Sequence, residues 1–262
     1  MRACLLFFFS AVTFAATDPE KEILIVDGEY RQLYGSIVEG SGVSSDDRIP
    51  EKTATIDFAL YDAVGPIGRC ALWPLWEHAE TCDQPELKVE DCPAFGKSVL
   101  AIAASWNAAP RVVQSLPTHN RAYRQLMSTW LREQGIEDAD PDIQQLLRVD
   151  LEGDGTDEVL ISATHLRGSV RSAYAGDYSI ILLRRIVQGS VQTIALEREF
   201  HRGACEAQCE PRRSRIVAVL DVDGDGILEV ITQVKSFEQI ERRIFHLDKN
   251  RVKMRLSWSC GV

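Results

Sequence analysis

The sequence contains no uninterrupted apolar stretch approaching the ~18 residues that a membrane-spanning helix needs. It also lacks positive charge: 29 Lys and Arg stand against 39 Asp and Glu, a formal net charge of −10. That balance argues against nucleic acid and anionic membrane surfaces as partners. The G-x-S-x-G, H-E-x-x-H and G-x-x-x-x-G-K-[ST] arrangements are missing. The five histidines, His78, His119, His165, His201 and His246, are scattered, and His165 reads as a packed or solvated side chain rather than a base. No catalytic residue is therefore assigned. Asn107, Asn120 and Asn250 all fail the N-x-S/T pattern, so no glycosylation sequon exists.

Residues 1–16 have the composition of a secretory signal. Arg2 supplies a positive start, Leu5 to Phe14 an apolar core, and Thr13-Phe14-Ala15 small residues suited to cleavage after Ala15 or Ala16. The expected location is secreted, periplasmic or cell-envelope. Cys4 would leave with the signal, leaving Cys70, Cys82, Cys92, Cys205, Cys209 and Cys260, an even set suited to disulfides outside the cytosol. Proximity favours one bridge within Cys70/Cys82/Cys92 and another joining Cys205 to Cys209. His201, Cys205 and Cys209 could mimic a zinc face, but the disulfide reading takes precedence in an exported chain.

Residues 17–140 read as an N-terminal, disulfide-bearing α+β region. "TATIDFALYD" (53–62) alternates like a strand, and "GRCALWPL" and "SVLAIAASW" suggest others. Residues 77–93, polar and acidic, read as a stapled surface loop. Trp73 and Trp76 read as core rather than as a sugar-stacking platform. Tyr123, Leu126, Met127, Trp130 and Leu131 recur at helical spacing and predict one helix over about 119–134. Thr118 or Asn120 can cap its start, and Gly135 suits its end.

From residue 141 to 262 the pattern becomes eight strand-like segments. They form two four-stranded antiparallel meanders, each with an acidic loop between its first and second strands. "RVDLEGDGTDEV" and "VLDVDGDGILEV" share six of twelve residues at an offset of 71. Asp150, Glu152, Asp154 and Glu158 occupy positions 1, 3, 5 and 9 of the first loop; Asp221, Asp223, Asp225 and Glu229 occupy them in the second. Four carboxylates within nine residues repel one another unless a cation sits among them. A hard divalent ion with roughly six to eight oxygen ligands fits, calcium better than magnesium, and a carbonyl from Thr156 or Ile227 would complete each shell. The expectation is two Ca2+ sites. An EF-hand needs an acid at position 12, where Ile161 and Thr232 stand here.

"DLEGDGTDEV" and "DVDGDGILEV", each between strands, resemble the calcium loops of FG-GAP/VCBS repeats, the blades of integrin-α-type propellers. The resemblance covers about 144–262 and implies that the eight carboxylates are ligands. It implies a mainly β fold with two propeller-blade-like meanders, either within a closed propeller or as an open pair packed on the first half. It further implies a calcium-stabilised, non-enzymatic exported protein with an interaction, adhesion or envelope role toward a protein or carbohydrate ligand. The alternative is a secreted hydrolase or polysaccharide-active enzyme with its site in the first half or between the halves.

Overall fold

The structure, a computed structural model, describes residues 23–38, 41–44, 54–78, 85–97, 100–136, 140–205, 209–248 and 251–261. The signal-like residues 1–16, Cys4 and Cys82 lie outside this set. The structure is mainly β: 54% of the described residues are strand, in several open antiparallel sheets. Among the described residues no helix is long and apolar enough to cross a membrane.

The N-terminal strands are β1 (Ile23–Asp27), β2 (Leu33–Val38), β3 (Ser41–Ser44), β4 (Ile56–Tyr61), β5 (Pro66–Leu72), β6 (Leu75–His78), β7 (Pro85–Lys88) and β8 (Leu100–Ile102). Six form one sheet in the order β3-β2-β1-β8-β4-β5, while β6 and β7 pair separately. Thus the expected loop 77–93 contains a strand. β1 is apolar without alternation and buried throughout, as a strand covered on both faces must be. Its Leu24 and Val26 pack with Phe58, Leu60, Leu87 and Phe95. Cys70 and Cys92 form a disulfide beside this core, and Cys205 and Cys209 form another. Trp76 packs half-buried here, but Trp73 is exposed, contrary to the core expectation. Leu72 ends β5 facing inward, so the next side chain turns outward.

The first meander comprises β9 (Gln114–Ser115), β10 (Ile143–Val149), β11 (Glu158–His165), β12 (Asp177–Val187) and β13 (Ser190–His201), ordered β13-β12-β11-β10-β9. Its helix, α1 (Arg121–Glu133), starts at Asn120, whose side chain accepts the Ala122 N–H. Met127 and Leu131 bury the helix stripe against Leu146, Ile161 and Ile180. The second meander runs β14 (Arg213–Leu220), β15 (Glu229–Lys235), β16 (Gln239–Asp248) and β17 (Arg251–Gly261) in sequential order. All eight strands expected in this half are present.

The units share cores. Ile23, Ile25 and Ile37 of the N-terminal sheet pack on Val217, Ile231 and Trp258 of the second meander. A buried ion pair reinforces that contact: Arg242 on β16 reaches Asp27 Oδ2 at 2.9 Å, with both side chains essentially unexposed. The meanders meet through Leu147, Leu160, Leu183, Val219 and Val230. The free edge of β14 is capped by side chains. Gln145 bonds both backbone groups of Ile216, at 2.7 and 2.9 Å, and Ser179 accepts the Ser214 N–H at 2.8 Å.

Candidate metal centre

Each acidic loop joins the first and second strands of its meander, and the two are built alike. The first aspartate uses both oxygens to organise its own loop. Asp150 accepts the N–H groups of Gly153, Asp154 and Gly155; Asp221 accepts those of Gly224 and Gly226. The turns need positive φ at Gly153, Gly155, Gly224 and Gly226, which glycine adopts without Cβ strain. At position 5, Asp154 accepts the Thr156 N–H and Asp225 the Ile227 N–H, each at 2.8 Å. The ninth-position acids reach back: Glu158 accepts the Leu151 N–H and Glu229 the Val222 N–H, again at 2.8 Å. Part of the repeated acidity therefore serves the loop backbone.

In the second loop, Asp223, Asp225 and Glu229 converge with His246 of β16. One donor atom from each lies within 4.8 Å of all the others. Donors that surround one ion at bond lengths of about 2.0–2.4 Å can be no farther apart than that, so the set is compact enough to hold a single divalent cation. His246 Nδ1 lies 2.6 Å from Glu229 Oε1, and its Nε2 lies 3.8 Å from Asp225 Oδ2. Burial pushes the Glu229 carboxyl up to about 7, opposed by its bonds from His246 and Val222. His246 is raised in turn, chiefly by its hydrogen bond to Glu229. The imidazole is held by Glu229 on one nitrogen and turns the other toward Asp225. Arg255 also pairs with Asp223.

The first loop differs at one decisive place. β11 aligns Val159 with Arg184, and β15 aligns Val230 with Phe245. The next residues, Arg185 and His246, therefore occupy equivalent positions beside Glu158 and Glu229. Where the second loop has an imidazole, the first has a buried guanidinium, 2.6 Å from Glu152 Oε2. Its positive charge also bears on Glu158, whose carboxyl burial pushes up to about 7. Among the described residues, Asp150, Glu152, Asp154 and Glu158 form no convergent donor set like that of the second loop.

The loops touch. Leu228 N–H donates to Leu151 O at 2.8 Å, and Arg111 donates to both Leu151 O and Gly226 O. Trp106 covers Gly224 and donates its ring N–H to Asp221 O at 2.9 Å. Sequence reading found the acids but missed His246, Arg185, Arg111 and Trp106, which come from other strands or segments. The expected seventh-position residues, Thr156 and Ile227, follow Asp154 and Asp225 through backbone N–H bonds. Elsewhere, His201 bonds Glu199 rather than facing a metal, and His165 stacks on Tyr178.

No family model matches this chain, and neither does any curated protein or solved structure.

Proposed function

We propose that this chain is an exported binding protein whose paired meanders are stabilised by one structural divalent cation at the second acidic loop. The observation that carries this is the convergence of Asp223, Asp225, Glu229 and His246. Ion binding offsets carboxylate repulsion and stabilises the fold by mass action. The likeness to FG-GAP/VCBS repeats supports calcium and an interaction role. The imidazole donor supports a borderline ion instead, and we rank Mn2+ and Zn2+ above Ca2+, which takes oxygen shells. Arg185 supplies the internal charge that makes a second ion at the first loop unnecessary. Export is supported by the signal-like start and by the Cys70–Cys92 and Cys205–Cys209 disulfides.

The hydrolase alternative calls for two close carboxylates in an open cleft. The cavity lined by Gln145 and Arg213 has one carboxylate, Glu29, and this is held by Arg215 and Arg242. This cavity thus offers no carboxylate pair, and the binding reading rests on the metal set instead. Thermal melting with Ca2+, Mg2+, Mn2+, Zn2+ or chelator tests it: an upward shift that His246→Ala and Asp223→Ala abolish supports the site. Identical melting under all conditions refutes it.

A further inference from the structure

At the opposite end of β14 and β15 from the acidic loop lies a cavity of about 690 Å³, within the range of small-ligand sites. Arg213 and Lys235 are direct cross-strand partners at its wall. Like charges placed opposite each other destabilise a sheet, and among the described residues neither has an ion-pair partner. The neighbouring cations are committed elsewhere: Arg212 to Glu199, and Arg215 to Glu29. Glu29 also serves Arg242, so the one carboxylate in the wall does not balance the pair. The remaining lining is rich in amides and hydroxyls, including Gln144, Ser169 and Gln233, with Val170 and Phe237 exposed at the mouth. Arg171 clasps the two lips together by stacking on Phe237 and pairing with Glu238.

From this juxtaposition we infer that the cavity binds an anionic saccharide, with its carboxylate on Arg213 and Lys235 and its hydroxyls on the amide and hydroxyl wall. Arg and Lys together offer charge-assisted hydrogen bonds to a carboxylate. An extended peptide is a poorer occupant. It would bind by adding to the free edge of β14, and Gln145 and Ser179 already cap that edge. The inference names a ligand class for the proposed binding role, at a place distinct from the metal set.

The test is calorimetric titration of the disulfide-intact protein with tetragalacturonate, its fully methyl-esterified form, and tetraglutamate, without added divalent ions. The expected result is binding of tetragalacturonate that weakens with salt, with the ester and Arg213→Gln and Lys235→Gln variants each weaker by about tenfold or more. Both substituted residues are exposed, so melting temperatures should be unchanged or slightly raised. No binding of tetragalacturonate, equal binding of the ester, unchanged affinity in both variants, or equal binding of tetraglutamate would each overturn the inference. Metal-dependent melting is measured on the same variants and should match the parent protein, so failure of the metal reading is seen separately.

Discussion

Replacing Arg185 with methionine removes the guanidinium of the first loop while keeping much of its apolar stem. Arg185 is 4% exposed at the side chain and Glu152 is 22% exposed. Removing one partner of a fully buried pair costs roughly 3–5 kcal/mol, because the other charge is left uncompensated. Two effects reduce that figure. Water reaches Glu152, and Arg185 Nε and Nη1 are buried without partners, so their removal relieves a desolvation cost. A net loss of about 2 kcal/mol follows. It should depend on pH, because the Glu158 carboxyl keeps its proton up to about 7 in the folded chain. At pH 5 a protonated Glu158 scarcely needs the guanidinium; at pH 8 an ionised one does. Urea unfolding of both proteins at pH 5 and pH 8, in chelator, reads the difference. A loss below about 0.5 kcal/mol, or an equal loss at both pH values, would refute the account of Arg185 as an internal counter-ion.

In the unsubstituted chain without metal, Glu158 binds a proton more tightly folded, at about 7, than at the ordinary value of 4.5. Its contribution should therefore be fully present below 4.5 and lost as pH rises to 7, by at most roughly 3 kcal/mol; stability that rises across this window in a chelator-treated urea series contradicts this. Gly226→Ala meets no atom within 4 Å but keeps its positive φ, and should cost about 1 kcal/mol. Gly224→Ala should cost more, because its Cβ would lie 3.2 Å from the Trp106 ring; equal melting temperatures would count against this packing. Asp27→Asn should destabilise by about 3 kcal/mol in urea unfolding, because buried Arg242 loses its buried charge partner and keeps only the half-exposed Glu29 at 3.3 Å. A neutral effect would show that this ion pair does not help hold the N-terminal sheet to the second meander.

The eight strands of 141–262 and helix α1 were legible because their patterns are local: alternating or continuous apolar runs, a helical stripe and Asn120 at its start. The acidic loops were legible as a repeat for the same reason. What the loops contain was not. Glu158 and Glu229 are 71 residues apart, but the residues beside them, Arg185 and His246, are 61 apart. The connection between β11 and β12 is longer than that between β15 and β16, so extending the loop repeat does not align the two cations. Arg111 and Trp106 reach the loops from outside the repeat. Trp73 was misjudged because composition does not say which face a strand end presents.

The most direct test is the number of divalent ions retained per chain after equilibrium dialysis against Mn2+, Zn2+ or Ca2+, counted by elemental analysis. The account predicts one ion per chain, lost in His246→Ala and kept in Arg185→Met above pH 7. Two ions in the unsubstituted protein would mean that Arg185 does not replace the metal at the first loop, and none would remove the metal centre altogether.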